Sequence, residues 1–103
     1  MMKQAEFSIG EVVKHKLFNY YGVIYDVDPV FMGSSGWYEQ VAKTCPPKDQ
    51  PWYRVLVDGH EHETYVAQRN LEHCGYREID HPMLDIYFDG HDKKRYTSNT
   101  LKT

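Results

Sequence analysis

The chain has 103 residues, of which 41% are hydrophobic, 26% charged and 15% aromatic. So many aromatic residues exclude a chain kept disordered by its charge, and the length suits one domain, residues 1–103, closing around a few large side chains. The formal net charge is −3, balanced through residue 57 and acidic beyond it; this argues against tight, unaided binding of nucleic acid, because proteins that hold it mainly through phosphates carry a basic surplus that releases counterions.

The first strand signal is Gly10-Glu-Val-Val-Lys-His15, a β-branched run entered through a glycine. Lys16–Tyr21 reads as a link with Asn19 as its turn residue, and Gly22-Val-Ile-Tyr-Asp-Val-Asp28 as the second strand, stopped by Pro29. Ser35 is expected to cap a short helix over Trp37–Lys43, with Glu39 favouring its positive end, and Pro46-Pro47 closes it. Trp52–Val57 is the third strand. It runs into Asp58-Gly59, a dipeptide made for a tight hairpin, and Glu63–Ala67 returns as the fourth. Gln68–Leu71 fits one 3₁₀ turn. Short, closely spaced strands of this kind predict a small antiparallel barrel rather than a βαβ unit.

Alternation sets Val23, Tyr25 and Val27 on one face of the second strand, opposite Ile24, Asp26 and Asp28. On the third, Tyr53, Val55 and Val57 oppose Trp52, Arg54 and Leu56. The more β-branched faces are expected to form the core, with a flap over Leu56 and Trp52. The tail from Gly75 is too apolar to stay in water, through Tyr76, Ile79, Leu84, Ile86, Tyr87 and Phe88, and is expected to pack back on the barrel. Ile86–Phe88 reads as a short strand or turn, and His91–Arg95 as an exposed run.

Catalytic signatures are missing from the sequence. Gly33-Ser-Ser-Gly36 lacks the Lys and Ser or Thr of a phosphate-binding loop, and no nucleophile elbow occurs. His73 and Cys74 are adjacent, but neighbours on a strand point to opposite faces. His60 and His62 would share a face if extended, with Cys74 or His73 as a third metal ligand; a polar hairpin tip is the better reading. No metal, cofactor or enzymatic activity is expected. Two cysteines, Cys45 and Cys74, are too few for a disulfide scaffold, no apolar leader precedes them, and no stretch nears the roughly 20 apolar residues of a membrane span. A cytoplasmic protein with free thiols is expected.

Basic and aromatic residues interleave at Lys14, Lys16, Tyr20 and Tyr21, a pattern suited to contacting phosphates and stacking bases. The alternative has His15 and Phe18 packed in the barrel and the lysines merely solvating it. Trp37 and Tyr38, beside the Gly/Ser loop, form a second candidate surface for a partner, whereas Trp52 belongs to the core. Asp26 and Asp28 lie two apart on one strand face, the placement of paired carboxylates for acid–base work; an exposed pair, with Asp28 capping the turn at Pro29, is the commoner reading.

Phe7-Ser-Ile-Gly-Glu-Val-Val-Lys-His-Lys-Leu-Phe18, Gly22–Phe31 with its Asp-Pro-Val-Phe, Gln50-Pro-Trp-Tyr-Arg-Val-Leu-Val-Asp-Gly59 and Thr64–Glu72 together resemble the YccV-like hemimethylated-DNA-binding family, whose single-domain members are the HspQ-like heat shock proteins. The resemblance continues at His81-Pro82 and Tyr87-Phe88, and from residue 73 onward it is closer to the domain as found in F-box proteins. It implies an SH3-like barrel without enzymatic activity and two unlike roles. One is a stress-response factor modulating ATP-dependent proteolysis, as a specificity factor for a Lon-type protease or a substrate adaptor. The other is a DNA-binding protein that reads hemimethylated sites. The negative charge places the protease-linked reading first and DNA second.

Overall fold

The four β-branched and aromatic runs carry the sheet. The computed structural model describes residues 4–42 and 45–98, and in it the runs form β1 (Val12–His15), β2 (Tyr21–Asp28), β3 (Trp52–Val57) and β4 (Glu63–Ala67). A 3₁₀ turn over Gln68–Asn70 leads into β5 (Leu71–His73), which takes Leu71 out of the expected turn. Every pairing is antiparallel and the order is β4-β3-β2-β1-β5. The two edge strands are thus consecutive in the chain, joined only by the 3₁₀ turn, so the sheet must curl. Among the described residues no hydrogen-bonded ladder joins β4 to β5. The result is a small all-β fold of the antiparallel kind that the strand pattern predicts; it fits the SH3-like barrel that the resemblance implies, left open along one seam.

Turn chemistry follows the sequence closely. Asn19 takes a positive φ of 62° between β1 and β2, and Gly59 one of 80° at the hairpin tip. Gly10 lies outside β1 because its φ of 92° is not a strand conformation. Gly22 lies inside β2, where a Cβ would fall 2.4 Å from Val55 Cγ1 and 2.6 Å from the Leu56 carbonyl oxygen.

The expected core face is corrected on β2. Between Ile24 and Asp26 the β2–β3 register shifts through a bulge, which breaks the simple alternation. Ile24 and Val27 therefore face the barrel interior, with Phe7, Val13, Tyr53, Val55, Val66 and Leu71. Val23 and Tyr25 face the other way. There Val12, Val23 and Leu56 are covered by Ile79, Phe88 and Tyr96 from the tail, so the sheet is buried on both faces. The flap expected over Leu56 is this tail, while Trp52 is covered by aromatic residues around the helix.

The tail is built from α2 (Leu84–Tyr87), β6 (Gly90–His91) and β7 (Tyr96–Thr97). The segment expected as a strand or turn at Ile86–Phe88 is mostly helical, closed by Phe88 N–H donating to the Leu84 carbonyl over 3.0 Å. His91–Arg95 is exposed, as expected. Two backbone clamps fix the tail. The Tyr96 amide donates to the Gly10 carbonyl (2.8 Å). At the hairpin tip the Gly59 amide donates to the Asp80 carbonyl (2.8 Å), and the Asp80 amide to Asp58 Oδ1 (2.7 Å). A third tie holds the N-terminal segment: buried Gln68 accepts from the Glu6 amide (2.9 Å) and from the Tyr53 hydroxyl, and donates to the Gln4 carbonyl (3.2 Å).

The remaining helix, α1 (Ser35–Val41), is capped by Ser34, whose Oγ accepts from the Trp37 amide at 3.0 Å. That is one residue before the expected cap. Glu39 lies beyond the first turn and so does not meet the helix's positive end. Lys43, the expected last residue of the helix, lies outside the described residues.

Candidate nucleic-acid interface

Strand alternation decides which candidate side chains meet. Lys14 and Tyr21 are direct cross-strand partners on β1 and β2, on the face that the tail covers. Lys14 Nζ stands 5.8 Å from the centre of the Tyr21 ring. From the tail, exposed Arg77 lays its guanidinium 3.8 Å from the same ring centre. Two cations thus share one half-buried ring.

Tyr20 points the other way, into the barrel interior, where its hydroxyl pairs with Thr64 Oγ1 at 2.6 Å and burial raises its pKa. The surface expected over Lys14–Tyr21 is therefore two surfaces, because consecutive strand residues face opposite sides. Lys16 is exposed in the turn. His15 is buried, as one alternative has it, and its Nδ1 accepts from the amides of Leu17 and Phe18, each at 3.1 Å. Phe18 is not buried: its ring stacks on His15 at 4.6 Å yet remains 65% exposed. Phe18 lies in the turn after β1, outside the strand alternation that would direct it inward, and its ring rests on His15 instead.

Trp37 and Tyr38 belong to an aromatic wall around buried Trp52. The Trp37 ring centre lies 5.9 Å from Phe31, 6.0 Å from Trp52 and 5.7 Å from Tyr65. Tyr38 is half-buried, its hydroxyl donating to the Pro46 carbonyl (2.6 Å) and Lys48 Nζ standing 4.2 Å from its ring centre. Beside the wall, Asp26 and Asp28 bracket Arg54 at 3.8 and 3.4 Å, and the guanidinium lies 4.5 Å from the Tyr65 ring centre. Tyr65 donates to Asp28 (2.6 Å); burial and that bond push its pKa up to about 12. The two aspartates thus hold an arginine instead of forming an acid–base pair.

Cys74 donates to the Val12 and Gly75 carbonyls (3.5 and 3.4 Å), and burial raises its pKa, the opposite of what a nucleophile needs. His73 is engaged by Glu11 at 2.5 Å. His60 and His62 have ring centres 5.2 Å apart, but no group of three potential ligands that could hold a metal occurs among the described residues. Both cysteines are free and exposed, and no helix among the described residues is long and apolar enough to cross a membrane.

A family model described as "Hemimethylated DNA-binding protein YccV like" matches residues 5–95. The chain belongs to the YccV-like family. The matched span of this YccV-like domain takes in β1 to β5, the tail helix and Arg77, so the Lys14–Tyr21–Arg77 cluster lies wholly within it. Sequence reasoning missed Arg77 because it is distant in the chain from Lys14 and Tyr21. Its signal was a basic residue next to Tyr76 in a tail already expected to fold back. Phe31 and Tyr65 were missed for the same reason: each completes the wall only through the fold.

Proposed function

We propose that this YccV-like protein is a non-enzymatic DNA-binding protein that prefers duplexes methylated on one strand. The observation that carries the reading is the family match over residues 5–95, whose description names hemimethylated DNA. It names no protease, and this reverses the order of the two roles drawn from the sequence. The Lys14–Tyr21–Arg77 cluster supports it with suitable chemistry: two cations for phosphate oxygens and an aromatic edge for an apolar group in the major groove. The cation–phosphate contacts make such binding sensitive to salt, and the net charge of −3 keeps it moderate in strength.

The test is a titration of matched unmethylated, hemimethylated and fully methylated duplexes across a salt series. A preference of about tenfold or more for the hemimethylated duplex, kept at physiological salt, is expected. Equal affinity for all three, fading together as salt rises, overturns the reading.

A further inference from the structure

Buried His15 holds a proton that it shares with nothing. Its Nδ1 accepts from the Leu17 and Phe18 amides, so the neutral ring carries its one proton on Nε2. His15 lies on the same face of β1 as Val13, which turns Nε2, the ring atom farthest from the backbone, toward the barrel interior. Among the described residues no group accepts from Nε2, although the residue is only 4% exposed. The one side-chain polar atom among the described residues that is both shut off from solvent and unpaired is the Tyr76 hydroxyl. Nε2 therefore opens onto accessible space, and the space that its ring lines is a cavity of about 320 Å³ along the seam. A second donor stands in the same lining. Tyr20 and Thr64 share a single hydrogen bond, which leaves one of their two hydroxyl protons to give.

The rest of the lining selects the ligand. One face of Phe18 rests on His15 and the ring is still 65% exposed; Trp37 is half-buried, and both offer ring surface to the cavity. The two charged side chains of the lining, Arg54 and Glu63, cancel, and each is already engaged. Arg54 lies between Asp26 and Asp28 with its guanidinium over Tyr65, and Glu63 accepts from the Tyr25 hydroxyl (3.0 Å). Burial lowers the His15 pKa and keeps the ring uncharged at neutral pH. An ion of either sign would shed its water here and gain no surplus of opposite charge. The volume is at the lower end for small-molecule sites, so the occupant has one ring or two.

We propose that the seam cavity binds a small, uncharged, planar heteroaromatic molecule, which stacks on the exposed rings and accepts a hydrogen bond from His15 Nε2–H. A carbonyl oxygen or ring nitrogen supplies the acceptor, and the Tyr20–Thr64 pair donates to a second one. The site lies on the opposite face of the β1–β2 hairpin from the Lys14–Tyr21–Arg77 cluster, and it stands whether or not the chain binds DNA.

The probes are nicotinamide, the anion nicotinate, the N-methylpyridinium cation of the same amide, and cyclohexanecarboxamide, which keeps the amide but is not planar. Each is titrated into the isotope-labelled full chain and followed by its amide and imidazole resonances. The free protein is expected to show His15 as the Nε2–H tautomer. Nicotinamide is expected to shift that resonance and the Phe18 and Thr64 amides saturably, with a dissociation constant on the order of a millimolar for so few atoms. The other three are each expected to bind about fivefold more weakly or worse, the ions for want of a counter-charge and cyclohexanecarboxamide for want of a flat face. Thr64→Val keeps the shape of β4 and removes a hydroxyl, and is expected to weaken nicotinamide about threefold. An Nδ1–H tautomer, no saturable shift, or equal binding by any of the three analogues overturns the proposal, and none of these readings depends on a variant's folding.

Discussion

The backbone of Tyr96 fastens directly onto that of Gly10, with the Tyr96 amide 2.8 Å from the Gly10 carbonyl. A Cβ built on Gly10 would fall 2.1 Å from the Tyr96 carbonyl oxygen, and the glycine's φ is 92°. Gly10→Ala therefore meets both a strained backbone and a backbone clash that no flexible side chain can relieve. We expect a loss of about 2–3 kcal/mol in urea unfolding, with hydrogen exchange accelerated first at Tyr96 and Ile79. An unchanged midpoint would mean that the tail does not seal that face.

Gln68 and Tyr53 form the buried tie at the N-terminal segment. The Tyr53 hydroxyl both donates to Gln68 and accepts from the Phe7 amide at 3.3 Å. Tyr53→Phe removes both bonds and leaves the amide and Gln68 short of partners, at an expected cost of about 1–3 kcal/mol. Gln68→Ala strands the Glu6 amide and the Tyr53 hydroxyl and is expected to cost at least as much. Chemical denaturation of both variants and the double mutant checks this; additive losses would deny the coupling.

His15 gives the fold a pH dependence of known sign. Burial lowers its pKa below the usual 6.5, and its Nδ1 must stay unprotonated to accept from Leu17 and Phe18. Phe18 and Tyr20 flank the ring and offer it no charge. Because the unfolded chain takes up the proton first, stability is full above about pH 6.5 and falls on acidification toward the lower folded-state value. His15→Asn keeps an acceptor near Nδ1 and does not titrate, so its stability should be flatter over that interval. Identical pH profiles for the variant and the parent would remove His15 as the cause.

On DNA, Lys14→Ala and Arg77→Ala are expected to weaken all three duplexes alike and to reduce the salt dependence by about one phosphate contact each. Tyr21→Ala is expected to narrow the preference for the hemimethylated duplex more than it lowers overall affinity. If Tyr21→Ala leaves the preference intact, the methyl group is read elsewhere.

Much of this fold was legible because its signals are local. Pro29, Asn19 and Asp58-Gly59 mark strand ends by their own backbone preferences, and the strands between them match the observed ones within two residues. The faces of β2 were not legible. A bulge between Ile24 and Asp26 depends on the partner strand, and it reverses the parity of Val27 relative to Val23. Strands of two or three residues, β5, β6 and β7, carry too few positions to show a period. The candidate site divides likewise. Lys14 and Tyr21 could be paired from a hairpin register, but Arg77 joins them only after the tail has crossed the sheet, and Tyr20 leaves them because it is one residue away.

The docking of the tail on Val12, Val23 and Leu56 bears on anyone wishing to borrow this scaffold. A graft cut after β5 would look complete by its strand diagram, yet it would carry a bare greasy wall where Ile79, Phe88 and Tyr96 had been. The smallest transplantable piece therefore runs through β7, and a fusion partner or label joined there must leave the Tyr96 backbone free to reach Gly10.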